Sequence, residues 1–448
     1  MPTTAAQATE AYLSEAARPG SQLRHLMTEV AGLPADWRAS WRVWDRPLIA
    51  DGAQLHAFGA DLATVFRLLT ELPARCFDGD LGRFCRFLGI DERRAALMRR
   101  LGDAPPPMYG RSDMYHDGTG YRLLELNVGS ALAGLDMVGL LGPALMRVPA
   151  FAQFAAEHGL SQYDTSADIA LTMRHAAKSV AAGEPVVAVL EAPGGLAAYR
   201  PERQALADQL AEHGLASRVG ELSDLTFAGG KPHLDGTPID LIVRYFALEE
   251  MLDRPDCEAL LEPVFRAHQD GTVVLWTPMS SNLFGNKGTL ALLSERSADP
   301  GTFTAAERDL IERVVPWSRM LGRPGTAPDR LLIEECQQRQ QELVLKPTGL
   351  FGGRGVVVGR HADPRSWREA LEAGAAAGAL VQREVRPSLD AVIDPLTGER
   401  QDWHVLWGAF LTPNGFAGSY GRMVPPGGNG VISRTANPDT RSTCVFMC

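Results

Sequence analysis

Read by the spacing of its apolar residues, the chain divides into a helical opening and a longer stretch in which strands and helices alternate. Leu62, Val65, Phe66, Leu68 and Leu69 recur at helical spacing, as do Leu81, Phe84, Phe87 and Leu88, so each segment turns one apolar side inward. The run Pro105-Pro106-Pro107 ends this section, because proline has no amide hydrogen to donate. Two β-prone runs follow, Tyr109–Tyr115 and Tyr121–Asn127, around His116-Asp117-Gly118-Thr119-Gly120; that turn chemistry predicts a β-hairpin. VVAVLE (186–191) predicts a buried strand, Pro201–His213 an amphipathic helix stopped by Gly214, and ASRVGEL a second strand. A small hairpin turning through FAGGKPHLDG leads to IDLIVRYF (239–246), a further buried strand. Strand–helix–strand order implies parallel pairing in a layered sandwich. From Leu331 the pattern gives a helix, the strand Glu342–Lys346, a glycine-rich loop and the strand Val356–Gly359. The helix Ser366–Ala377, the strand ALVQREV (379–385) and a hairpin turning at Pro413-Asn414-Gly415 complete it.

The expected class is therefore α/β, with α+β layers. Four units are expected: a helical region over 1–104, the hairpin unit over 105–150, an α/β unit over 180–300, and a last unit over 301–448. A length of 448 residues with 45% hydrophobic and 22% charged content is ordinary for a globular enzyme. The formal net charge of -10 argues against a nucleic-acid partner. Six cysteines without a CxxC pair point to a reducing compartment. Cys444 and Cys448 are expected to lie in a frayed tail. The opening residues carry acids and no apolar signal region, and no apolar run reaches membrane-spanning length. A cytoplasmic location is the expectation.

Chemistry concentrates in three places. In the hairpin, Arg111, Asp113, Glu125 and Asn127 sit at alternate positions of their strands, and alternate positions share a face. If the turn centres on Gly118, Arg111 faces Glu125 and all four side chains share one face; an even-length loop would split the set. Two carboxylates and an amide oxygen on one face suit Mg²⁺, and an adjacent arginine can meet a phosphoryl group. The same spacing also fits a solvated face with an Arg–Glu cross-strand pair.

The second place is LVLKPTGLFGGRGV (343–356), where Lys346 ends a buried strand and Gly349, Gly352, Gly353 and Gly355 follow. A lysine charge and a loop without Cβ atoms can clamp a triphosphate. The segment is neither a Walker A motif nor a dinucleotide fingerprint, and a glycine-rich hairpin turn with an incidental lysine remains an alternative. The third is Asn286-Lys287-Gly288, which opens a helix after the TPMSSNLFG loop. Arg422 and Arg434 could bind phosphate or carboxylate or could be surface residues. Arg244, ending a buried strand, needs a partner, and substrate is one candidate. His116 and His404 lack partner motifs and read as structural. No GxSxG, HExxH or kinase signature is present.

Taken in order, GRSDMY with LLELNVGSA, IDLIVRYF, SSNLFGNKG, LVLKPTGLFGGRGV and LVQREV resemble the circularly permuted ATP-grasp ligases of the glutathionylspermidine synthetase type, and more distantly eukaryotic glutathione synthetase. The resemblance runs from about residue 108 to residue 436 and leaves the first hundred residues unassigned. It implies a circularly permuted ATP-grasp fold with an α/β substrate/lid unit and a helical N-terminal region. It further implies ATP and Mg²⁺ (two ions), with Asp113, Glu125 and Asn127 as metal ligands and Arg111 at the reacting groups. Lys287 and Lys346 would contact ATP phosphates, 348–355 would form the lid, and Gln382 and Glu384 would lie near the base or ribose. Asp402 and Arg422 would form a strand pair beyond that hinge. Ser130, Arg244, Arg422 and Arg434 are the substrate candidates. The implied activity is ATP-dependent amide or peptide bond formation between a small-molecule or peptide carboxylate and an amine, through an acyl phosphate, releasing ADP and phosphate. A phosphotransferase and a non-catalytic ATP- or peptide-binding relative stay open.

Overall fold

The apolar runs become four sheets in the computed structural model, which describes residues 3–448 apart from 31, 36, 38–40, 131, 324, 351, 428 and 429. Position 351 of the expected lid and positions 428–429 of the C-terminal loop thus lie outside the described residues.

The largest sheet has seven strands and joins the two ends of the chain. Its order is Leu48–Ala50, Arg441–Met447, Gly415–Val424, Arg400–Thr412, Gly110–His116 and Tyr121–Val128. Leu389–Ile393 pairs with the first part of Arg400–Thr412, and Gly110–His116 with its second part. The tail expected to fray is the strand Arg441–Met447, hydrogen-bonded on both sides, with Cys444 fully buried. Its consecutive apolar residues pack into two cores, Cys444 and Phe446 into one and Val445 and Met447 into the other, while neighbouring strands satisfy the backbone. The opening section is helical as read, led by Gly52–Phe77, but it also supplies the strand Leu48–Ala50 to this sheet.

A four-stranded parallel sheet holds Val274–Leu275, Leu241–Arg244, Val187–Glu191 and Ser217–Glu221, confirming the parallel pairing read from strand–helix–strand order. Its helix, Leu196–Glu212, starts before the expected Pro201, which lies inside it; a proline removes only one bond of the ladder there. An antiparallel sheet of Ser318–Met320, Ala379–Arg383, Leu343–Pro347 and Val357–Val358 carries the glycine loop. The helix Pro364–Ala377 backs it through Trp367 and Leu371, which share a core with Leu343, Leu345 and Val381. Among the described residues no single helix is long and apolar enough to cross a membrane.

Candidate active site

The hairpin settles the register question by an unexpected route. Four residues, Asp117 to Gly120, separate the paired positions His116 and Tyr121, an even-length loop that alone would place the carboxylates on opposite faces. A bulge at Leu124 shifts the register by one. Beyond it Asp113 faces Glu125, and Arg111 faces Asn127 rather than Glu125. All four polar side chains therefore line one cavity. The bulge also frees the Leu124 carbonyl, which lies 3.4 Å from Lys346 Nζ and 3.5 Å from Gln382 Nε2.

Charges of both signs interlock around this face. Asp113, only 7% exposed, lies 2.7 Å from Arg422 and 3.2 Å from Arg111. Burial pushes its carboxyl upward, but the Arg422 and Arg111 guanidiniums outweigh that and hold it at about 2. Arg111 also donates to Ala133 O at 2.8 Å. Lys287, at the first turn of the helix Lys287–Arg296, pairs with Glu125 at 3.1 Å and donates to Leu350 O at 2.7 Å. Lys346 donates to Gln382 Oε1 at 2.6 Å. Burial lowers the Lys346 ammonium to about 8; Glu125 opposes this, neighbouring Lys287 adds to it, and Asp113 opposes it.

The glycine loop covers this cluster. Gly352, Gly353 and Gly355 all have positive φ, a region that costs glycine little. A Cβ at 353 would fall 2.7 Å from Val431, so the glycine loop's backbone lies directly against the C-terminal loop. Ser433 Oγ donates to Gly352 O at 2.6 Å. Val344, Val358, Leu124, Leu406, Val424 and Ile432 form an apolar part of the lining. Gln382 and Glu384 line the same cavity, with Glu384 paired to Arg360 at 2.7 Å.

The cavity has a volume of about 840 Å³ and continues past Ser130, Arg422 and Arg434 to a second wall. That wall is made of Trp41, Asp136, Glu191, Tyr199, Glu202, Arg203, Tyr245 and Glu250. Arg203 pairs with Glu191 at 2.6 Å and lies 4.0 Å from the Tyr245 ring centre. The buried carboxyl of Asp136 accepts from the indoles of Trp37 and Trp41 at 2.6 and 2.5 Å; burial raises it above its ordinary range, and the two indoles pull the other way. Sequence reading missed this wall. One signal was available: Glu191 ends a buried parallel strand, and ligands gather at such carboxyl ends. Trp41 and Asp136 carry no motif, and only tertiary packing brings them in.

Two candidates stand elsewhere. Arg244 is fully buried and donates to Thr277 O, Phe246 O, Pro278 O and Asn282 Oδ1, so it braces the loop that leads to Lys287. Burial depresses its guanidinium to about 10, which leaves it charged at neutral pH. Asp402 pairs in register with Ala391 and lies 3.9 Å from Arg400, while Arg422 is opposed by Leu406. His404, read as structural, lines the cavity, whereas His116 contacts Gln54 at 3.1 Å.

Among solved structures, a glutathione synthetase-like effector from Globodera pallida, in its apo form, matches 98% of this chain and 98% of its own, with a TM-score of 0.56 and 12% identity. The two chains share one mixed α/β fold. A putative gamma-glutamylcysteine synthetase from Methylobacillus flagellatus KT matches with a TM-score of 0.44 and 13% identity over 87% and 88% of the two chains. A D-alanyl-alanine synthetase A from Vibrio cholerae O1 biovar eltor str. N16961 gives 0.32 and 14% over 59% and 74%. No family model and no curated protein sequence matches the chain.

Proposed function

We propose that the chain is an ATP-dependent carbon–nitrogen ligase with a permuted ATP-grasp site, joining a small-molecule or peptide carboxylate to an amine. One observation carries the reading. Asp113 and Glu125 face each other among Arg111, Arg422, Lys287 and Lys346, under a glycine lid and inside one cavity with two differently built ends. The fold shared with a glutathione synthetase-like protein supports it.

The donor set fits magnesium. Asp113 and Glu125 offer opposed carboxylate oxygens, and Asn127 donates its amide nitrogen to Arg111 O at 3.3 Å, which turns its oxygen outward as an acceptor. Magnesium bound there would neutralise charge on the phosphate oxygens. Lys346 and Lys287 hold the phosphates from the lid side. The apolar part of the lining takes the base, and the far wall takes the acid and the amine. Its mix of carboxylates, Arg203 and tyrosines suits substrates with ammonium and carboxylate groups. In the proposed reaction the acid's carboxylate oxygen bonds to the γ-phosphorus as the bond to ADP breaks. The amine nitrogen then attacks the acyl carbon, loses a proton and expels phosphate. Arg111 is placed to stabilise negative charge in both steps, and the lid keeps water from the mixed anhydride.

The test is a product assay across amino acids, short peptides and polyamines with ATP labelled at the γ-phosphate. The expected products are ADP and labelled free phosphate, with hydroxylamine trapping a hydroxamate of the acid. Label retained on an organic product would indicate a phosphotransferase. AMP with pyrophosphate would overturn the acyl-phosphate route.

A further inference from the structure

Arg111 and Arg422 are like charges that meet at one carboxylate, and a carbonyl contact from Arg111 to Ala133 O does nothing to hold Arg422 when that carboxylate turns to other partners. The structure assigns the role of holding them to Tyr420, which we propose as the positioning residue for both guanidiniums. Its ring centre lies 5.7 Å from the Cζ of Arg111 and 5.7 Å from that of Arg422, distances at which a ring face attracts a cation. The proposal rests on the ligase reading only in giving those arginines their task.

The sheet explains how one ring reaches both. Tyr420 and Arg422 alternate on one strand and share a face. Across the next strand the residue opposite Tyr420 is Gly408, and Arg111 lies on the strand beyond, opposite Phe410. A Cβ at 408 would fall 2.6 Å from the Tyr420 ring and 3.3 Å from Arg111 Cδ. The ring therefore lies flat across a bare backbone to meet the arginine on the third strand. Gly134 closes the slot from the other side, where a Cβ would come within 2.8 Å of the ring. Phe410 stacks on Tyr420 at 5.7 Å, and Trp41 meets it edge-on at 6.3 Å. Tyr420 is 1% exposed and lines the cavity, and the contacts around its ring hold it in place. Through Trp41, the helical opening region becomes part of the active site.

The test compares Tyr420→Phe with Tyr420→Leu in the full chain, using two readouts. The first is the Nε–H signals of Arg111 and Arg422 in arginine-labelled protein, assigned by Arg111→Lys and Arg422→Lys. The second is slow MgATP turnover with water as acceptor. Tyr420→Leu should collapse both signals to solvent-averaged positions. It should lower kcat about a hundred-fold while the KM for ATP moves less than about three-fold, as expected when only alignment is lost. Tyr420→Phe should restore both signals and most of the rate. If Tyr420→Leu fails to fold, Gly408→Ala displaces the ring without removing it and should give the same paired loss. Arginine signals unchanged in the leucine variant would overturn the proposal. So would a phenylalanine variant as impaired as leucine, which would assign the effect to the hydroxyl. A wild-type chain without turnover to water is what a site that excludes water would give; the arginine signals alone then decide the positioning role, and the product assay decides the ligase reading.

Discussion

The hairpin Gly110–Val128 and the strand pair Leu343–Val358 both face the same cavity, and they are built on opposite principles. The hairpin lies within the seven-stranded sheet, and its charges are paired at fixed register, Asp113 against Glu125 and Arg111 against Asn127. The lid strands pair over only two positions, Val344 with Val358 and Leu345 with Val357. Among the described residues their connecting loop is tied to other elements by Lys287 to Leu350 O, Ser433 to Gly352 O and Thr348 to Gly378 O. The hairpin can hold charges a few ångströms apart because the ladder prevents relaxation. A loop tied by side-chain contacts moves more easily than a strand paired along its length. On the proposed reading, a site that must place phosphates accurately and yet admit a nucleotide would divide the two tasks between these elements.

The largest expected effect breaks the rigid side. Glu125→Ala should reduce MgATP turnover by about a thousand-fold and lower the melting temperature as well, because it removes the carboxylate that pairs with the buried Lys287. Asp113→Ala should lose activity equally and also cost about 3 kcal/mol or more of stability, since it leaves Arg111 and Arg422 without their shared carboxylate. Thermal melts beside turnover measurements check both, and an Asp113→Ala chain as stable as wild type would contradict the buried pairing.

Deleting Leu124 sharpens the comparison. The Asp113–Glu125 pairing should survive, because removing the bulge leaves those residues next in the ladder, but the carbonyl beside Lys346 is lost. Nucleotide affinity should fall about ten-fold, read by titration with a fluorescent ATP analogue. A smaller effect follows from pH. Lys346 is held at about 8, so its ammonium is present below that value and lost as pH rises through it. ATP affinity should weaken a few-fold, roughly, between pH 7 and 9, and Lys346→Arg should flatten the profile. The smallest effect belongs to the lid. Ser433→Ala should raise hydrogen exchange at 348–355 by roughly two- to five-fold in the free protein, and added MgATP should suppress that exchange.

These contrasts also explain what the sequence disclosed. Local features were legible because local chemistry sets them. The turn at 117–120, the cap at Asn286 whose side chain accepts from Gly288, and the strand–loop–strand around Lys346 follow from residue type and spacing. The register of the hairpin was not legible, because a bulge carries no residue signature of its own and reverses the parity that spacing alone implies. Arg244 shows a second limit. A buried charge demanded partners, and the backbone carbonyls of 277 and 278 supplied them, which no motif records. Trp41, Asp136 and Tyr420 reach the site only through packing between distant segments, such as Trp41 against Asp136 and Tyr420, and the tail strand was misread because its partners lie at 48–50 and 415–424.

That tail strand has a consequence for the order in which the molecule can be made. Arg441–Met447 lies between Leu48–Ala50 and Gly415–Val424, so the early strand has no place in the sheet until the last one is translated. Contacts of such long sequence separation form late. On the ribosome, residues 48–50 must wait without a strand partner until residues 441–447 have emerged. Nascent chains arrested before residue 441 should therefore be cut by protease within the first eighty residues while the parallel sheet of 187–275 is already resistant, and release of the last strand should close both together.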